Sequence, residues 1–97
     1  MIFSGGISMA AERSETPWVK VRVRIDGDEL AIRGQGTEEY VRELARIVDS
    51  RIERVRRSHP NLPRHHAAIL ACMYLADEAY KLRQENKELE KLLEEAR

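Results

Sequence analysis

The sequence contains a single cysteine, Cys72, so no disulfide can form within one chain, and a lone thiol without a credible export signal fits a reducing cytoplasm. Aromatic residues make up only 5% of the chain against 35% charged ones, the balance of long solvated helices rather than of a compact enzyme with a deep pocket. An excess of one charge sign is missing too. The 17 basic and 17 acidic side chains cancel, which excludes the general basic surplus of a nucleic-acid or membrane-surface binder. Catalytic signatures are also lacking. His65 and Cys72 sit seven positions apart, roughly 10 Å along a helix, too far to share a metal without other ligands. The expected roles are bland: capping or loop histidines at His65 and His66, and a buried structural thiol at Cys72. Gly34-Gln35-Gly36 has neither the lysine nor the spacing of a phosphate-cradling loop. The carboxylates are spread over solvated helix faces, with no pair isolated in an apolar setting. The expectation is a protein that is not an enzyme and takes no cofactor or metal.

A chain of 97 residues suggests one small domain with a modest core, to which oligomerisation is the natural addition. Residues 1–17 carry Gly5, Gly6, Ser14, Thr16 and Pro17 with no sustained period, and read as a disordered N-terminal segment. Their apolar part is too short and too interrupted to insert in a membrane, and Met9 is a second possible start. From Trp18, Val19, Val21, Val23 and Ile25 alternate with Lys20, Arg22 and Arg24, the period of a strand with one wet and one buried face. Asp26-Gly27 then suits a tight turn into a second strand through Leu30 and Ile32.

Thr37 is placed to cap a helix running to about Ser58, with Glu38 and Glu39 in its first turn. Tyr40, Val41, Leu44, Ile47, Val48, Ile52 and Val55 form its apolar stripe, the natural cover for the hairpin. Pro60 and Pro63 end that helix, and a second one follows without a breaker to Arg97. Its first part, AAILACMYLA, is apolar all round and so calls for burial on all sides, which points to a second copy. The fold class expected is α+β: an N-terminal β-hairpin, one amphipathic helix, then a long C-terminal helix forming an intermolecular coiled coil. Residues 18–74 make the head, and residues 75–97 the coiled-coil projection of the second helix.

Leu75, Leu82 and Leu89 recur every seven residues at heptad position d, which places Cys72, Ala79, Asn86 and Leu93 at position a. With Ile69, these residues form the expected oligomer interface. The flanking charges leave strand direction open: Glu78 would attract Arg83 of a parallel partner, whereas Glu85 would meet Glu90. The remaining feature is surface charge. Lys20, Arg22, Arg24 and Arg33 lie on the outer hairpin face, and Arg51, Arg54, Arg56 and Arg57 cluster late in the first helix, while the tail is acidic. Such a head is suited to an acidic protein surface, and dimerisation doubles its contacts. The alternative is a dimeric DNA-binding or regulatory protein using the Arg-rich first helix. Against it, Pro60 and Pro63 interrupt the continuous basic helix of a zipper protein, and five acidic residues dilute the charge of the first helix.

The strands VKVRVRIDGDELAIR, the helix TEEYVRELARIVDSRIERV, the linker SHPNL and the helix AAILACMYLADEAYKLRQENKELE together resemble the ZapA family of cell-division proteins. The EYVRELA, PNL and AAILA…LADE segments carry the likeness, in that order and over nearly the whole chain from Val19 to Glu95. The resemblance implies a homodimer with an α/β head and a projecting coiled coil, often paired into tetramers. It also implies binding to the tubulin-like GTPase FtsZ and bundling of its filaments at the mid-cell division ring, in the cytoplasm. The family's FtsZ contact is attributed to the head, including basic positions late in the first helix, where Arg56 and Arg57 stand here. Arg51 and Arg54 come just before them, and Arg22 and Arg24 extend the same basic surface.

Overall fold

The computed structural model describes residues 7–8 and 17–96. Its elements are β1 (Ile7–Ser8), β2 (Trp18–Ile25), β3 (Asp28–Gln35), α1 (Glu38–Ser58) and α2 (Arg64–Glu95). They fall into two compact units, Met1–Arg54 and Val55–Arg97, divided within α1.

In the first unit β2 and β3 pair antiparallel, with Ile25 opposite Asp28. Only Asp26 and Gly27 are left to turn the chain, and both have positive φ, 53° and 83°. These are the two left-handed residues that a hairpin turn matched to strand twist requires. Alternation then sorts the faces: Val21 and Val23 are buried, while Lys20, Arg22 and Arg24 stay exposed. α1 covers the apolar face. Val41 and Ala45 join Val21 and Val23 in one core, with Val19, Ile25, Leu30 and Ile32 packed around it.

The buried line of α1 differs from the expected stripe. Ala45 is buried, whereas Tyr40 and Ile47 are exposed and Leu44 is half-buried. At 100° per residue, positions 41, 45, 48, 52 and 55 share one line, and 40, 44 and 47 lie roughly 60–120° to one side of it. Ala45 thus sits on the line that faces the sheet, and the larger Tyr40, Leu44 and Ile47 take the flank.

Polar contacts help hold α1 in place. Tyr40 N–H donates to Thr37 Oγ1 at 3.0 Å, the expected cap. Asp26 N–H donates to Asp49 Oδ1 at 2.7 Å, tying the hairpin turn to the helix. Arg42 Nη1 donates to the Arg22 carbonyl at 3.2 Å. The lead-in from β3 uses Gly36 at φ 118°, where an added Cβ would come within 3.2 Å of the Tyr40 ring. Gly36→Ala is therefore expected to destabilise the head by about 1–3 kcal/mol, read as a lower urea midpoint at unchanged m-value.

β1 is a departure from the expectation that nothing orders before Trp18. Ile7 and Ser8 pair in parallel with Ile32 and Arg33, giving the strand order β1-β3-β2. The outer edge of β3 offers unpaired backbone groups, and two extended residues suffice to meet some of them. The rest of the 1–16 segment lies outside the described residues.

The second unit opens on the last turn of α1 and the proline linker. His59 N–H bonds to the Val55 carbonyl at 2.8 Å, and Leu62 N–H to His59 at 3.1 Å, before the chain restarts at Ala67 N–H to Pro63 at 3.0 Å. α2 then runs for 32 residues, about 48 Å. Its ends are poorly finished: Pro63 provides no side-chain cap, the first turn has no acidic residue and the last has no basic one. The buried residues of this unit are Val55, Ala67 and Ala71. The all-round burial expected for AAILACMYLA is not met within one chain, since Ile69, Cys72, Met73 and Tyr74 are exposed. Cys72 was expected to be buried; among the described residues it is exposed.

Candidate functional site

Two surfaces stand out among the described residues. The first is the apolar flank of α2, where a regular helix holds leucines in water. Leu75 is half-buried, but Leu82, Leu89 and Leu93 are 60%, 57% and 66% exposed, and Ala79 and Asn86 are exposed with them. From Leu75 to Leu93 these positions stay within roughly 60° of one line along the helix, so they form one seam. A second stripe, which the sequence reading missed, runs beside it: Ile69, Met73, Ala76 and Tyr80, all exposed, at spacings of 4, 3 and 4. Ile69 belongs to this stripe, roughly 120° around the helix from Leu75, and not to the leucine seam. The spacing was a legible signal, obscured because that part of the helix is apolar on every side. On the solvated side, Lys81 and Asp77 form an ordinary exposed pair at 3.1 Å, one turn apart. Leucines at this density in water are costly, at about 1.5–3 kcal/mol each relative to burial.

The second surface is basic. Arg22 and Arg24 both reach the carboxylate of Glu29, at 3.6 Å each, on the wet face of the hairpin. Arg33 lies over the Trp18 ring at 5.6 Å. Arg24 also lines a shallow cleft with Val23, Arg42, Ala45, Arg46 and Asp49. Arg51 and Arg54 line a different groove, with Glu43, Arg46, Ile47 and Ser50. Arg56 and Arg57 follow in the last turn of α1, within the second unit. The structure thus groups Arg51 with Arg54, and places Arg24 in another cleft.

Arg42 and Arg46 were not singled out in the sequence. Arg42 is held by Glu38 at 2.8 Å and Arg46 by Glu43, with Nε at 3.0 Å. Their spacing of four and three from a glutamate reads as routine helix-surface pairing, so only the fold shows that Arg42 touches a strand and that Arg46 borders both clefts. No group of three or more potential metal ligands occurs among the described residues. Nor is any described helix long and apolar enough to cross a membrane.

Known proteins share this fold. The family model described as cell division protein ZapA matches residues 21–97. A curated relative, the cell division protein ZapA of Bacillus pumilus, is 30% identical over 76 residues, covering 78% of this chain and 89% of the relative. A solved structure, described as a ZapA mutant dimer from Geobacillus stearothermophilus, superposes with a TM-score of 0.69 at 28% identity, covering 88% of this chain and 99% of that one. The family model spans the hairpin and both helices, the curated relative matches over most of both lengths, the solved structure shares the fold, and the chain belongs to the ZapA family of cell division proteins.

Proposed function

We propose that this protein is a non-enzymatic accessory factor of cell division that self-associates through α2 and crosslinks FtsZ filaments at the mid-cell division ring, in the cytoplasm. The observation that carries this reading is the exposed seam of Leu82, Leu89 and Leu93 on an otherwise regular helix. A second copy of the chain is the cover that matches its sevenfold repeat. The relative from Geobacillus, whose structure is described as a dimer, supports the same assembly. Two heads on one particle hold two filaments at once, and two weak contacts joined in this way give avidity without any chemical step.

The filament contact is assigned to the basic head, through Arg51, Arg54, Arg56 and Arg57 of α1 together with Arg22 and Arg24 of the hairpin. Opposed charge on a filament wall would speed encounter and make binding sensitive to salt. The test is co-sedimentation with polymerised FtsZ. Wild-type protein is expected to bring filaments down as bundles at low and moderate salt, and unchanged sedimentation under both conditions overturns the reading. Arg51→Glu with Arg54→Glu is expected to lower bundling at least fivefold while light scattering still reports the assembled mass. Full bundling by that variant would remove this groove from the contact.

A further inference from the structure

Among the described residues no strand pairs with the outer edge of β2, which has hydrogen-bonding groups, charges and a cleft arranged for an added strand. The Gly36 N–H bond to the Pro17 carbonyl, at 3.0 Å, fixes which β2 residues face β3. Antiparallel pairs alternate between bonded and non-bonded, so in this register Pro17 accepts from Gly36, and Val19, Val21, Val23 and Ile25 exchange bonds with the neighbouring strand. The N–H and C=O groups of Lys20, Arg22 and Arg24 therefore point away from the sheet. The Arg22 carbonyl agrees with this parity, since it accepts from Arg42 across the open side.

Side chains along that edge are equally regular. Lys20, Arg22 and Arg24 lie on the wet face. On the helix side, Val23 and Ala45 form the apolar part of the cleft whose other lining residues are Arg24, Arg42, Arg46 and Asp49. A second copy of β2 would set Lys and Arg against Lys and Arg, which opposes edge-to-edge pairing of two heads. The opposite edge of the same sheet already takes an added strand, since β1 pairs there with Ile32 and Arg33.

We propose that the β2 edge binds an extended acidic segment of a partner protein by strand addition. Alternate carboxylates of the segment lie beside Lys20, Arg22 and Arg24, and small apolar side chains enter the Val23–Ala45 cleft. Backbone bonds to Lys20, Arg22 and Arg24 supply affinity, and the period-2 match of charge and small apolar residues supplies selectivity. The segment's N–H takes the place of Arg42 at the Arg22 carbonyl, and the Arg22 and Arg24 pairs with Glu29 are exposed ones that exchange readily. The inference rests on the filament reading only for the identity of the partner.

The test uses the full-length protein and a blocked heptapeptide of alternating Glu and Val. Titration followed by backbone amide shifts is expected to saturate below millimolar peptide, with Lys20, Arg22 and Arg24 amides gaining at least tenfold protection from hydrogen exchange. The same peptide N-methylated at the residues that bond to β2 keeps every charge but is expected to bind at least tenfold more weakly. Arg24→Glu is expected to cause a similar loss, and a Lys-Val peptide to show no binding. Equal binding by the N-methylated peptide, or protection confined to α1, overturns strand addition in favour of plain charge attraction. If the peptide fails while FtsZ bundles normally, this inference falls alone. If the peptide binds as expected while FtsZ is not bundled, the filament reading falls and the edge stands.

Discussion

Leu82→Asp combined with Leu89→Asp is expected to leave the protein monomeric across a concentration series in which the wild type scatters light as a dimer or a larger particle. Both leucines are more than half exposed in the single chain, so the substitutions remove nothing from the head. What they change is the proposed interface. Each leucine contributes about 1.5–3 kcal/mol when covered, and a dimer has four such positions. Even half of that sum weakens association on the order of a thousandfold. Unpaired carboxylates forced into the seam add a desolvation cost in the same direction. Bundling should collapse with the loss of the second head, while single-head binding to filaments survives at reduced strength. A variant that stays fully assembled would place the interface elsewhere, with the Ile69–Met73–Tyr80 stripe as the next candidate.

Val21→Asp is expected to unfold the head. Val21 and Val41 are each 2% exposed and are the largest fully buried side chains among the described residues. A carboxylate at that position has no partner in the core, and isolated buried charge costs several kcal/mol. Small domains have a net stability of about 5–15 kcal/mol and short chains lie toward the lower end, so one such change consumes much of it. The expected readout is loss of dispersed amide signals from Trp18–Gln35 with most of the helical circular dichroism retained by α2. Val21→Ala, which only leaves a cavity, should cost about 2 kcal/mol and keep the fold. Melting of Val21→Asp within a few degrees of the wild type would refute the core described here.

Local rules account for what the sequence disclosed. Alternation from Val19 to Ile25, the Asp26-Gly27 turn, Thr37 as a cap and the two prolines each act over a few residues, and each takes its expected place. Leu75, Leu82 and Leu89 were equally visible because a sevenfold repeat survives whatever the leucines pack against. The misses came where several neighbours decide jointly. Ala45 rather than Tyr40 or Ile47 lies on the buried line, because the helix phase that faces the sheet is set by the whole packed face and not by the hydrophobicity of single residues. Arg42 and Arg46 looked like ordinary partners of Glu38 and Glu43 until the fold brought Val23 and Arg24 beside them. β1 had no local signature at all, since two residues are too few to show a period.

The unfinished ends of α2 have a bearing on how firmly its last turn holds. Glu94 and Glu95 sit where backbone carbonyls already concentrate negative charge, an arrangement that weakens the last turn by a few tenths of a kcal/mol per residue. Taken alone, the tip of this rod should fray into a short tether, and its winding should tighten as copies associate. Under the proposed crosslinking role, filament spacing would then vary with protein concentration and ionic strength rather than keep a fixed ruler length.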